Sequence, residues 1–274
     1  DSNGFDTGFF ILNSDEFNNV NKLSVRKKLS LTEVIQELVQ QKKLYFIEVP
    51  KDSWLDIDTS QDLFRAKNYL LNNLCSKVND GKLLKYVNRP ISKWITSKLV
   101  NYPLTPNQIS TVAFFIAVVS GLVISMEGYF FLLLGALLAQ SSSILDGCDG
   151  EIARLKLIKS EFGAWYDRIL DRYSDLFILT GLTFHIYFIH ETLTVFLIGF
   201  VAVGGKIILS YTAYVYDTIV STHNNFRIGR DLTIFIILLG ALFNIPYITL
   251  VALALMVNVE VCKRLWILKD KLDY

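Results

Sequence analysis

The chain has 274 residues, of which 52% are hydrophobic and 19% charged, with a formal net charge of +1. Balanced charge excludes a general nucleic-acid binder, and this much apolar residue excludes a disordered chain. Three scattered cysteines, Cys75, Cys148 and Cys262, make neither a disulfide framework nor a CxxC zinc site. The mean hydropathy of +0.38 is high for a soluble domain, and it averages over two unequal parts.

Up to about Asn88, charged residues recur every few positions and no apolar run is long enough to span a bilayer. The chain begins at Asp1 without Met. Its first residues, DSNGFDTG, lack signal-peptide character, so a processed or truncated start is expected. Lys22–Gln41 reads as a helix with Leu31, Val34, Ile35, Leu38 and Val39 on one face. Leu83–Val100 carries Leu84, Val87, Ile91, Trp94, Ile95 and Leu99 at spacings of three and four, with Lys and Arg between them. That pattern fits an amphipathic helix lying in a membrane interface; a plain linker helix is the alternative. Asn101-Tyr-Pro-Leu-Thr-Pro-Asn107 then breaks any helix with two prolines.

From Val112 on, long apolar stretches dominate. Six spans are expected, at 107–126, 129–145, 170–189, 193–214, 231–245 and 247–266, the second and fifth short. Their polar residues are mostly Ser and Thr, with Gly and Ala among the apolar ones, and these permit close helix packing in lipid. A soluble helical core is disfavoured, because these segments are apolar all round rather than along one stripe. The connections at Glu127-Gly128, His190-Glu191 and Asn244-Ile-Pro246 hold no Lys or Arg. The other set holds Arg89, Lys93 and Lys98, then Arg154, Lys156 and Lys159, then Arg227 and Arg230, and finally Lys263, Arg264, Lys269 and Lys271. This strict alternation places both termini and the longer loops in the cytoplasm.

The acids of this half cluster. Asp146 and Asp149 are three apart, and Asp167 and Asp171 are four apart, so each pair shares one helix face. A short intervening loop, Leu155–Phe162, makes an antiparallel helix pair that brings all four together near the cytoplasmic surface. Ionisable residues near membrane depth default to function. Converging carboxylates repel one another, and aspartate oxygens favour a hard divalent cation such as Mg²⁺ or Mn²⁺. Gly150 lets a ligand approach the backbone, and Arg154 suits a phosphate. A salt-bridge girdle with Arg154, Arg168 and Arg172 would explain neither the glycines nor the face-to-face spacing. Asp175, one turn beyond Asp171, is left open between a supporting role and a pairing with Arg172. His185, His190 and His223 stay far from the aspartates in this topology.

The pattern D-x-x-D-G-x-x-A-R, eight residues, G-x-x-x-D-x-x-x-D resembles the signature of the CDP-alcohol phosphotransferases. All eight fixed positions match: Asp146, Asp149, Gly150, Ala153, Arg154, Gly163, Asp167 and Asp171. The Leu104-Thr-Pro-Asn-Gln-Ile-Ser110 segment, with Thr105 and Asn107, is similar to the same family. The resemblance implies transfer of a substituted phosphate from a CDP-alcohol to a hydroxyl acceptor, releasing CMP, with two Mg²⁺ or Mn²⁺ ions. By motif position Asp146, Asp149, Asp167 and Asp171 would hold metal, and Asp171 would be the base. Asp149, Gly150, Ala153, Arg154, Gly163, Thr105 and Asn107 would bind the donor, with Gly150 and Gly163 leaving room for the nucleotide. Many members carry Arg after a Ser-Tyr in the fourth span. Here Ser210-Tyr211 lacks it, which leaves Lys206, Ser210, Arg227 and Arg230 as the expected acceptor contacts. The family often forms homodimers through its helices.

Asp6-Thr-Gly-Phe-Phe-Ile-Leu12 and Trp54-Leu-Asp-Ile-Asp-Thr-Ser-Gln-Asp-Leu63 resemble the late part of sugar-phosphate nucleotidyltransferases, with Ser60 and Gln61 in place of Pro and Glu. Without that fold's Gly-rich loop no nucleotidyl transfer is expected. Asp56 and Asp58 are then read as part of the end of an α/β fold rather than as a metal pair. The pairing of domains resembles bifunctional enzymes that make CDP-inositol and then di-myo-inositol phosphate phosphate. The expected protein is therefore an α-helical integral membrane enzyme with six transmembrane helices and a small N-terminal cytoplasmic α/β fragment. Its parts are 1–82, an interfacial helix 83–101, and a phosphotransferase domain 102–274. The acceptor is an inositol phosphate and the donor CDP-inositol or CDP-diacylglycerol, with no nucleic-acid partner. Glycerol phosphate or serine are the alternative acceptors. A cation transporter, or a membrane anchor for a partner enzyme, are the readings from other classes.

Overall fold

The structure, a computed structural model, describes residues 31–40, 56–74, 84–219 and 228–272. The chain divides into two units, Asp1–Ala66 and Lys67–Tyr274. The Asp6–Leu12 segment and Arg227 lie outside the described residues.

In the first unit, α1 (Leu31–Gln40) falls within the expected Lys22–Gln41 helix. The described part of the Trp54–Leu63 segment, from Asp56 on, leads into a helix. Thr59 precedes α2 (Ser60–Leu74), which runs on into the second unit. Asp62 accepts from the Thr59 hydroxyl at 2.6 Å and the Thr59 amide at 3.1 Å, while its own amide donates to Thr59 Oγ1 at 3.2 Å. This reciprocal pairing is a capping box with Asp in the third position. The Thr59 hydroxyl holds the Asp62 carboxyl below its usual range.

The second unit continues with a π-helical turn at Leu84–Asn88 and then α3 (Arg89–Leu99). Six helices follow: α4 (Pro106–Ile124), α5 (Tyr129–Leu155), α6 (Glu161–His190), α7 (Leu193–Ile219), α8 (Arg230–Leu242) and α9 (Pro246–Leu272). No strand occurs among the described residues. Among the described residues three helices are long and apolar enough to cross a membrane: Pro106–Ile124, Tyr129–Leu155 and Leu193–Ala213. With large apolar side chains such as Phe115, Leu122, Phe130, Phe200 and Leu255 exposed outside, this is a multi-pass membrane protein. α6 carries six charged residues in its first half, and α8, at 13 residues, is roughly 20 Å long against a core of about 30 Å.

Small residues set the helix packing, as lipid requires. α4 meets α6 at Gly121 and Gly181, where a Cβ on Gly181 would lie 2.8 Å from the Gly121 carbonyl carbon. Gly205 of α7 faces Asn258 of α9, and Gly240 of α8 faces Thr249 of α9. Ile178, Leu182 and Ile186 of α6 join Ile124, Leu132, Ile234, Ile237, Leu250 and Leu253 in one apolar core.

Two helices run past their apolar segments. α5 continues ten residues beyond Leu145, and α6 begins nine residues before Leu170. Between them only Lys156–Ser160 turns the chain, with Leu157 in the left-handed region at φ 57° and Ser160 capping α6 by accepting from Gly163 N at 3.0 Å. All four motif aspartates therefore stand on regular helix, at the end of the bundle where α5 and α6 meet.

Candidate active site

One carboxylate oxygen from each of Asp146, Asp149 and Asp167 lies within 4.8 Å of the others, the one such cluster among the described residues. Asp149 is held by a hydrogen bond from Ser110 of α4 and one from the Gly150 amide. Asp167 Oδ1 is buried with no hydrogen-bond partner. A buried, unpaired carboxylate oxygen costs free energy unless something positive meets it. Three oxygen donors this close, one of them orphaned, fit a hard divalent cation.

Asp171 stands beside this trio but turns to cations of the chain. Arg230, at the start of α8, pairs with Asp171 and reaches Asp146 at 3.0 Å and Asp175 at 3.9 Å. Arg172 lies 3.4 Å from Asp171 and 3.9 Å from Asp175. Arg168 instead donates to the Ala164 carbonyl at 2.9 Å, within its own helix. Of the girdle considered from sequence, Arg172 thus joins the acids and Arg168 does not.

The two motif glycines face side chains of the site. A Cβ on Gly150 would stand 3.2 Å from Arg154 Nη1, so glycine leaves the guanidinium room along the helix. A Cβ on Gly163 would lie 2.9 Å from Ser160 Oγ and 3.1 Å from Asn107 Oδ1. Glycine there lets the start of α6 approach the start of α4. Thr105 caps α4: its amide donates to Gln108 Oε1 at 3.0 Å, and its hydroxyl accepts from Gln108 N at 3.4 Å. Ala153 sits on the same helix one turn beyond Asp149 and Gly150.

Of the expected acceptor residues, Lys206 and Arg230 are engaged by groups of the chain itself. Lys206 of α7 is buried, donating to Thr233 Oγ1 at 2.8 Å and the Gly229 carbonyl at 3.4 Å. With Arg172 and Asp175 it lines a narrow hollow between α6 and α7. Ser210 is half-buried one turn further along α7. Arg230 is inside the acid cluster.

Several supporting residues escaped the sequence reading. Ser110 orients Asp149, and its one signal was a hydroxyl in the first turns of α4. Glu151 is wholly buried and accepts from three side chains of α3, at 2.7 to 2.9 Å. A carboxylate at a variable position inside the motif, between Gly150 and Ala153, was its signal. Asp231 accepts from Ser143 at 2.6 Å and Asn88 at 3.0 Å, tying α8 to α5 and the π turn. His185 is bonded to the Met126 carbonyl at 2.9 Å and His190 packs on Tyr247, so both are occupied elsewhere.

Comparison with known proteins bears on this arrangement. Residues 103–262 match the family described as CDP-alcohol phosphatidyltransferase. The chain is 33% identical over 277 aligned positions to a bifunctional IPC transferase and DIPP synthase of Aquifex aeolicus, covering 98% of this chain and 62% of that protein. It is 34% identical to a protein of the same name from Archaeoglobus fulgidus, over 87% of this chain and 47% of the other. The chain thus spans roughly half to three-fifths of the length of these relatives. Among solved structures, the phosphatidylinositol phosphate synthase of Mycobacterium tuberculosis (PgsA1), with CDP-DAG bound, superposes with a TM-score of 0.55 at 22% identity. That match covers 64% of this chain and 92% of the other, and the same enzyme is also known in complex with manganese and citrate. The match over residues 103–262 takes in every motif aspartate and the helices that carry them, and on that ground the chain belongs to the CDP-alcohol phosphatidyltransferase family.

Proposed function

We propose that this chain transfers a substituted phosphate from a CDP-alcohol to the hydroxyl of an inositol phosphate and releases CMP. The observation that carries the reading is the convergence of Asp146, Asp149 and Asp167, with Asp167 Oδ1 left without a partner. Family membership and the names of the relatives support it.

In this reading Asp146, Asp149 and Asp167 hold Mg²⁺ or Mn²⁺, two ions with Asp171 at the margin. Bound there, such ions would supply positive charge to offset the donor diphosphate and the leaving CMP. Asp149 and Arg154, with Gly150, Ala153, Gly163, Thr105 and Asn107 around them, receive the donor. Arg154 faces its phosphates. Asp171 takes the proton of the acceptor hydroxyl as that oxygen bonds the phosphorus carrying the alcohol. The bond from that phosphorus to the bridging oxygen breaks, and CMP keeps the oxygen. Arg230 holds Asp171 in place, and with Lys206, Ser210 and Arg227 it meets the acceptor phosphate. The donor is CDP-inositol or CDP-diacylglycerol.

All six helices from α4 to α9 cross the membrane in this reading, with both termini and the acid cluster cytoplasmic. Residues 1–82 are the end of a cytidylyltransferase-like domain, 83–101 an interfacial segment, and 102–274 the phosphotransferase. The purified chain, incubated with Mg²⁺ or Mn²⁺ and a panel of CDP-alcohols and acceptors, is to be assayed for CMP. Inositol phosphate as the productive acceptor supports the reading. Glycerol phosphate or serine in its place reassigns the acceptor, and no CMP from any pair rejects the proposal.

A further inference from the structure

α3 docks on α5 by its polar side. Arg89, Ser92 and Thr96 are its buried residues, while Ile91 and Trp94 face outward. All three polar side chains reach one carboxylate. Arg89 Nη1 lies 2.9 Å and Ser92 Oγ 2.7 Å from Glu151 Oε1, and Thr96 Oγ1 lies 2.7 Å from Oε2. The contact is close along its length. Cys148 Sγ is 3.5 Å from the Ser92 carbonyl, and a Cβ on Gly147 would stand 3.6 Å from Arg89 Nη1.

Glu151 is two residues beyond Asp149. At 3.6 residues per turn the two side chains point roughly 200° apart around the helix. Asp149 therefore faces the acid cluster when Glu151 faces α3. A carboxylate gripped by three donors on one neighbouring helix fixes the rotation of α5 at that turn. A rotation of about 20° would carry a carboxylate near the rim of the helix by roughly 2 Å. Cation ligands tolerate only about 0.2 Å.

We infer that Glu151 is a positioning residue: its clamp by Arg89, Ser92 and Thr96 sets the rotation of the last turns of α5, holding Asp149 in the cation-binding trio and Arg154 toward the donor. The inference rests on the proposed reading of Asp146, Asp149 and Asp167 as a metal site. It also gives α3 a part in the site through Glu151.

The test is Mn²⁺ binding to the full chain in detergent micelles, followed by electron paramagnetic resonance, alongside thermal unfolding. E151Q is expected to weaken Mn²⁺ binding by about tenfold or more, as loss of an outer partner does at metal sites, and T96V by a smaller factor. S97A, on the same helix but bonded only to the Trp94 carbonyl among these groups, keeps wild-type affinity. T96V, which loses one hydroxyl and no charge, decides the matter where E151Q does not fold. Wild-type affinity in folded E151Q and T96V overturns the inference and leaves the metal reading standing. A wild-type chain that binds no Mn²⁺ removes both.

Discussion

The aspartates divide by their partners. Asp149 stands in the trio and is oriented by Ser110, whereas Asp171 is held by Arg230 and Arg172. The two should therefore fail differently. Asp149→Asn should lose Mn²⁺ binding and CMP release together. Asp171→Asn should cut CMP release by about 10²–10⁴-fold, the usual worth of a general base, while keeping most of the Mn²⁺ affinity. Equal loss of affinity in both would place Asp171 among the ligands instead. Gly150→Ala tests the donor side: the added methyl would press on Arg154 at 3.2 Å. The donor KM should rise several-fold with kcat little changed, and an unchanged KM would separate Arg154 from the donor. The motif residues were legible in the sequence because spacing on a helix dictates face. Arg230 was legible only as a cation. That it enters the acid cluster follows from α8 packing on α5, a tertiary contact no local pattern encodes.

At the scale of elements, the apolar stretches located every helix from α4 to α9 but not their ends. Hydropathy reports the solvent around a helix, not where its backbone bonds stop, so α5 and α6 extend beyond their apolar segments to carry the aspartates. The fifth segment errs the other way: α8 ends at Leu242, and Asn244 takes a left-handed turn at φ 52° before Pro246 starts α9. α3 shows a different gap. Its amphipathic spacing was plain, but which face it buries depended on a carboxylate some 60 residues away, Glu151. Breaking such a buried pair costs about 3–5 kcal/mol. The close crossing of α4 and α6 is equally specific. Gly181→Leu has no room against the backbone of Gly121 and should destabilise the chain by about 1–3 kcal/mol or more, read as a lower unfolding temperature in detergent. Gly204, with open space around it, should accept Ala at little cost in the same assay.

For the whole molecule, the proposed topology puts the acid cluster, α3 and the Lys156–Ser160 turn on one side, and the short turns at Glu127-Gly128 and Asn244-Ile245 on the other. An impermeant thiol reagent should label Glu127→Cys in intact cells and Lys159→Cys only after permeabilisation. The reverse pattern would invert the protein and put its site outside. The charge alternation on which this proposed orientation rests can be read in the sequence, because loop charge is a local property. The α/β character expected for 1–82 rests on residues largely outside those described, and the described part of that segment is helical apart from its lead into α2.

The central claim is that the carboxylates of α5 and α6 carry a metal-dependent phosphotransfer, and CMP release measured with and without metal tests it most directly. Wild-type chain given CDP-inositol or CDP-diacylglycerol with inositol phosphate should release CMP in step with product. Chelation should abolish release, Mg²⁺ or Mn²⁺ should restore it, and Asp146→Asn and Asp149→Asn should show none while remaining folded. CMP release that persists under chelation, or at wild-type rate in either variant, would contradict the account.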